Sequence, residues 1–270
     1  GPDTPLVVAC SGGTDSLVLL HLLRFGTRHR PDRLVVGHVD HRMRSGSASD
    51  ARWLRGVARA WGLPFRQVCA AVVPRNEAEA RDVRWAFLDA LAQAVSGWTD
   101  LYGFVHHAGG SYDALAAMID RARAEEIMQV NFWSMLVLVK AALRPMVRAR
   151  AGRIVGVGSI TARQGTQGNG AYAATKGAMA SYMKSLCVEV ARKGITANVI
   201  APGYVDTDML APYAGQREKA EKQIPCGRFA TPDEIASLVC YLLAPEAAYV
   251  TGAEISIDGG LSASIAMKNQ

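Results

Sequence analysis

The stretch Leu6-Val7-Val8-Ala9-Cys10-Ser11-Gly12-Gly13-Thr14-Asp15-Ser16-Leu17 passes from strand to helix through a glycine turn. Leu6 to Cys10 is a short apolar run of strand length, and Leu17 to Leu23 reads as an apolar helix that follows at once. Between them, Gly12 and Gly13 let the backbone bend tightly. Successive N–H groups at the start of a helix, aligned with its dipole, form an anion site.

Outward from this unit the same alternation continues. Leu34 to Val39 reads as a strand, Ser49 to Trp61 as a helix, Phe65 to Val73 as a strand, and Asn76 to Gln93 as a helix with Glu77 and Glu79 at its positive end. Leu101 to His106, Arg153 to Gly158, Thr196 to Ile200 and Ala253 to Ile257 read as strands. Ala124 to Arg148 and Tyr172 to Arg192 read as helices between them. Thr231-Pro232-Asp233-Glu234 opens a further helix, with Thr as N-cap, Pro at the first position and Glu three residues on. This alternation predicts a doubly wound, Rossmann-like α/β fold, with a parallel sheet and helices on both faces. Ligands in such folds bind at the carboxyl ends of the strands. Nothing between residues 90 and 105 reads as a linker, so residues 1–270 are expected to form a single domain.

Half of the 270 residues are hydrophobic and a fifth are charged, an ordinary globular composition. Residues 1–95 hold 13 Arg, no Lys and 9 acids, a net of +4; the remainder holds 17 basic and 15 acidic residues, a net of +2. That excess suits phosphorylated ligands or RNA, but a solvated surface is the plainer reading. Cys10, Cys69, Cys187, Cys226 and Cys240 form no CxxC pair and read as reduced thiols of a cytoplasmic protein. No run nears the ~18 uncharged apolar residues of a membrane span. The start, Gly1-Pro2-Asp3-Thr4-Pro5, lacks a basic region followed by an apolar one, so no secretion signal is expected.

SGGTDS at 11–16, HVDHRMR at 38–44, Ser49-Asp50 and NEAEARDVRWAFL at 76–88 together resemble the start of tRNA-isoleucine lysidine synthetases, which are PP-loop ATP pyrophosphatases. The resemblance covers residues 1–95 and implies that Ser11, Gly12, Gly13, Asp15 and Ser16 bind phosphates, with ATP as the ligand. It stops where that family continues with an AHHADD-type motif. Here His106-His107-Ala108 is followed by Gly109-Gly110, and tRNA is not an expected partner. His38, His41, His106 and His107 match no zinc spacing, so no metal site is expected. Neighbouring His106 and His107 should point to opposite faces of their strand.

A second constellation begins at Ser159, just past a strand. Tyr172 follows thirteen residues later, and Lys176 lies one helical turn beyond it. A tyrosine that acts as acid or base near neutrality needs its pKa of about 10 brought down, and a lysine one turn away is expected to do this. A serine beside them can orient a carbonyl. VGSI at 157–160, YAATKGAM at 172–179, ITANVIAPGYVDTDM at 195–209 and YVTGAEISIDGG at 249–260 resemble the short-chain dehydrogenase/reductases, above all the 3-oxoacyl-acyl-carrier-protein reductases. The resemblance covers residues 98–263, within a catalytic segment of 96–270, and VHHAGG at 105–110 stands where the family has NNAG.

This resemblance implies hydride transfer from NADP(H) to the ketone of a 3-oxoacyl substrate. Tyr172 would be the acid, Ser159 would hold the carbonyl, Lys176 would bind the nicotinamide ribose, and Asn131 would support a relay water. Pro202, Gly203, Val205 and Thr207 would border the nicotinamide, and Asp208 to about Ile224 would form a substrate lid. The family's oligomers imply a dimer or tetramer through the helices at 124–148 and 172–192. The family's TGxxxGxG loop is replaced by SGGTDS, whose Asp15 would repel cofactor phosphates. Asp40 would meet an adenosine ribose hydroxyl, or Arg42 a 2′-phosphate. Both families start with three strand–helix units, so a junction before the fourth strand preserves the strand order 3-2-1-4-5-6-7. Three readings stand at this point: an NADP(H)-dependent reductase, an ATP-binding PP-loop protein, and an inactive hybrid of two folds.

Overall fold

The computed structural model describes residues 6–9, 20–26, 30–40, 47–69, 79, 82, 86, 89, 92, 93, 101–207, 210 and 215–264. Seven strands pair into one sheet: β1 (Leu6–Ala9), β2 (Leu34–Asp40), β3 (Phe65–Cys69), β4 (Gly103–His106), β5 (Gly152–Val157), β6 (Ile195–Pro202) and β7 (Glu254–Ile257). Their order is β3-β2-β1-β4-β5-β6-β7, with every neighbouring pair parallel, as the sequence predicts. The central strands are buried along nearly their whole length, which suits the apolar run IVGV in β5 and the mostly apolar ITANVIAP in β6, whose Thr196 and Asn198 are buried polar residues.

The helices are α1 (Ser47–Ala60), α2 (Arg121–Met128), α3 (Ser134–Ala149), α4 (Gly170–Val190), α5 (Arg217–Glu221) and α6 (Pro232–Leu243). The capping box expected at Thr231 is present, with the Thr231 and Glu234 side chains each taking the other's backbone N–H. The predicted helix at 124–148 begins earlier, at Arg121, where Asp120 caps it by accepting from the Arg123 N–H. It is also interrupted: Gln129–Trp133 form a widened π-type turn between α2 and α3. Counted as one, Arg121–Ala149 is long and apolar enough to cross a bilayer. Its Met135, Leu138, Val139, Ala142 and Met146 are instead buried against the sheet.

Two apolar layers cover the sheet. On one face Val8, Leu20, Val36 and Leu54 from the first 95 residues pack with Val105, Val155, Ile200 and Val239. On the other, Phe104, Ile154 and Val199 pack with α3 and α4 through Met135, Met146, Met179 and Met183. Successive residues of a strand thus serve opposite layers, and the carboxyl ends of β4, β5 and β6 open on one rim. Because both segments share a core, Leu54→Ala should cost about 2–5 kcal/mol. Urea unfolding should show one transition for the whole chain, and two separate transitions would show independent halves.

Candidate active site

The rim is built from residues just past the strand ends. After β5, Gly158 donates to the Ile200 carbonyl at 2.8 Å, and a Cβ there would sit 2.7 Å from Val199. This close approach delivers Ser159 as N-cap of a 3-10 turn. The Ser159 hydroxyl accepts from the Thr161 N–H at 3.3 Å and lies 2.9 Å from the Thr161 hydroxyl. It is also hydrogen-bonded to Tyr172.

Burial raises the Tyr172 pKa, the Ser159 hydrogen bond draws it down, and the Asp113 carboxylate raises it. The net shift is upward, opposite to the expected lowering by Lys176. Burial outweighs the influences that lower it. The Lys176 ammonium lies 5.6 Å from the centre of the Tyr172 ring and donates to the Val157 carbonyl at 2.8 Å. Lys176 is 4% exposed, and burial brings its own pKa down to about 8. It has three N–H donors but a single hydrogen bond among the described residues, so two donors are free for a ligand.

Asn131 lies in the widened turn and is fully buried. Its amide donates to the Gly110 carbonyl at 3.0 Å and to the Thr175 hydroxyl at 2.9 Å, and its oxygen accepts from the Gly110 N–H at 2.8 Å. The Thr175 hydroxyl in turn donates to the Tyr172 carbonyl at 2.8 Å. Asn131 is therefore tied to the helix that carries Tyr172 and Lys176. A Cβ on Gly109 would sit 3.2 Å from the Lys176 nitrogen, so glycine keeps room beside the ammonium.

His106 and His107 stand at the end of β4 and just beyond it. Burial, then the charge on Lys176, takes their pKa values down to about 3 and about 4, so both are neutral at physiological pH. Pro202 ends β6, and Gly203 lies so close to Asp258 that a Cβ would come within 2.8 Å of it. Val205 bridges to Ala230, and Thr207 accepts from the Leu210 N–H in the same loop. In that loop Asp206 holds Arg217 through two bonds of 2.8 Å, anchoring α5 within the proposed lid, and Ile224 at its far end is buried.

Asn131, Ser159, Tyr172 and Lys176 are thus brought together, while Pro202, Gly203, Val205 and Thr207 line the neighbouring strand end. Ser11, Gly12, Gly13, Asp15, Ser16 and Arg42 lie outside the described residues, as does the side chain of Asp40 at the end of β2. Sequence reasoning missed Thr161, Thr175 and Asp113. Thr161 directly follows VGSI and Thr175 sits inside YAATKGAM, and a hydroxyl beside a reactive side chain is their only signal. Among the described residues no cluster of three or more metal-ligating side chains occurs.

The lowered Lys176 pKa has a measurable consequence. Between about 8 and 10.5 the unfolded chain binds this proton more tightly than the native one, so stability rises with pH across that window. Below pH 8 the cost of burying the charge is present in full. Relative to Lys176→Met, the native chain should gain about 2 kcal/mol between pH 7 and pH 10 in denaturant titrations. A pH-independent difference would contradict the assignment.

Comparison with known proteins bears on the family and the fold. A family model described as enoyl-(acyl carrier protein) reductase matches residues 80–262, and a PP-loop domain model matches residues 2–123. The 3-oxoacyl-[acyl-carrier-protein] reductase FabG of Vibrio cholerae is 39% identical over 179 residues, 64% of this chain and 72% of that protein. Its counterpart from Escherichia coli K12 is 39% identical over 158 residues, 58% of this chain and 65% of that protein. The chain thus matches roughly two thirds of these relatives' length. Among solved structures, acetoin dehydrogenase YohF from Salmonella typhimurium superposes with a TM-score of 0.74 at 21% identity, covering 97% of this chain and 98% of that one. A short chain dehydrogenase/reductase family protein gives 0.74 at 24% identity, covering 96% and 97%. These likenesses carry the fold alone, and they extend through the segment that matches the PP-loop domain. With that domain's signature in its first half, the chain belongs to the short-chain dehydrogenase/reductase family, through the enoyl-(acyl carrier protein) reductase model that spans most of its length.

Proposed function

We propose that the chain is an NADP(H)-dependent reductase that delivers a hydride to the ketone of a 3-oxoacyl thioester, such as one held by an acyl carrier protein. One observation carries the reading: a Ser159–Tyr172 hydrogen bond beside a buried ammonium with two unspent donors. A buried cation with free donors calls for acceptors, and the two hydroxyls of a nicotinamide ribose supply them. The residues present therefore fit the cofactor. Lys176 would hold that ribose, and Pro202, Gly203, Val205 and Thr207 would border the nicotinamide. Asp40 would meet the adenosine ribose, and Ser11, Gly12, Gly13, Asp15 and Ser16 the diphosphate. When bound, the cofactor supplies the hydride.

The protein's own groups handle the proton. Ser159 and Tyr172 hydrogen-bond the substrate carbonyl and orient it. As charge develops on that oxygen, Tyr172 transfers its phenolic proton. The raised pKa of Tyr172 keeps it protonated, and so a donor, at neutral pH. The Lys176 cation, 5.6 Å from the ring centre, would offset part of the cost that burial places on the phenolate left behind. Buried Asn131, fixed by Gly110 and Thr175, holds its helix turn in place beside them. Self-association is proposed through the outer faces of Arg121–Ala149 and α4, where Trp133 is 43% and Val188 79% exposed.

A second reading, ATP binding, is favoured by the PP-loop match over residues 2–123. The first experiment is a fluorescence titration with NADPH, followed by ATP as competitor. Saturable NADPH binding with reduction of a 3-oxoacyl thioester is expected. Binding of ATP alone would overturn the reductase reading in favour of the second one. In the active protein, Tyr172→Phe should lower kcat about 10²–10⁴-fold while leaving NADPH affinity within a few-fold.

A further inference from the structure

His106 is the last residue of β4 and 2% exposed. It follows Phe104 by two positions, so its side chain faces the layer that contains α3 and α4. Its Nε2 lies 2.9 Å from the Ser134 hydroxyl at the start of α3. That hydroxyl lies 2.6 Å from the Val130 carbonyl. A carbonyl only accepts, so the single hydroxyl proton goes to Val130. The Ser134 oxygen must then accept from the ring, which makes His106 the neutral tautomer with its proton on Nε2. Its Nδ1 keeps a lone pair and has no hydrogen-bond partner.

The chain His106–Ser134–Val130 closes on one place, the widened turn Gln129–Trp133. In that turn the Ser134 N–H reaches back to the Gln129 carbonyl, and Asn131 sits at its middle. Widened turns are costly and persist where something outside the helix holds them. Asn131 is held by Gly110 and Thr175, and His106 supports the same turn through Ser134. The ring also lies within electrostatic reach of Lys176, whose charge favours the neutral imidazole. A neutral donor at this point braces the turn without placing a second cation beside the ammonium.

We infer that His106 is a positioning residue of the reductase site, bracing through Ser134 the turn that carries Asn131. The inference rests on the proposed reductase function and is tested so that the two fail separately. His106→Gln keeps a neutral N–H donor near the Nε2 position, whereas His106→Phe fills the space without a donor. His106→Phe should lower kcat about tenfold with KM and NADPH affinity changed less than about threefold, and His106→Gln should stay within about threefold of the native rate. Amide hydrogen exchange supplies a readout free of turnover. In His106→Phe, protection should fall for residues 129–134 but not for the far end of α3, and His106→Gln should restore it. Equal behaviour of the two variants, or loss of protection spread evenly along α3, would overturn the inference. If the native chain proves inactive, the reductase reading falls, and the exchange pattern alone decides whether His106 braces the turn.

Discussion

Leu6, Val7 and Val8 of β1 stand beside Gly103, Phe104 and Val105 of β4, and this register fixes the layout of the rest. It joins the first segment to the second in one sheet. It also decides which side chains of β4 enter which layer, because strand residues alternate with a period of two. Val105 joins Val8, Leu54 and Val239 on one face, while Phe104 and His106 turn to α3 and α4 on the other. A slip of one residue would exchange the two sets. It would bring a valine under the tetrad and drive a buried imidazole into a layer of leucines and valines, where it would have no Ser134 to receive its proton.

From that arrangement follows an electrostatic environment set mainly by burial. Lys176, His106, His107 and Tyr172 lie near one another, and burial pushes each toward its neutral form. The outcomes differ because their ordinary values differ. Both imidazoles fall far below neutrality, the phenol rises further above it, and the ammonium alone, at about 8, stays mostly charged at pH 7. A single cation remains in a poorly solvated place, so its field is undiminished by like charges or by water. Such a site is built to stabilise negative charge appearing nearby, as on a phenoxide or a developing alkoxide.

Much of this was legible in the sequence, and the reasons are local. Strand and helix periods are properties of short windows, so LVVA, LVVGHVD and ITANVIAP declare their strands, and Thr231-Pro232-Asp233-Glu234 declares its cap. The spacing of Tyr172 and Lys176 on one helix face is local as well. What escaped depends on contacts between distant parts of the chain. The widened turn at Gln129–Trp133 has no composition of its own, and its support comes from His106, 28 residues before Ser134. Asn169 reaches Asp113 across 56 positions, and it is that carboxylate which helps raise the Tyr172 pKa. This pKa rises, against the expected lowering, for a related reason: helical spacing places two side chains on one face but does not say how deeply the fold will bury them.

The union of a PP-loop signature with a reductase site also becomes intelligible in these terms. β1 pairs in parallel with β4, so its carboxyl end lies on the same edge of the sheet as His106, Ser159 and Pro202. Both ATP and a dinucleotide carry phosphates that a strand-to-helix turn at this edge would bind alike. Discrimination must therefore come from the other end of the ligand. The two unspent donors of Lys176 demand acceptors deep in the site, beyond β4 and next to Tyr172. A mononucleotide anchored at β1 has only one sugar and ends in its phosphates. A dinucleotide carries a second ribose past the diphosphate, toward the strands on the far side of the switch point. On the proposed reductase function, the buried ammonium is the feature that favours the longer ligand.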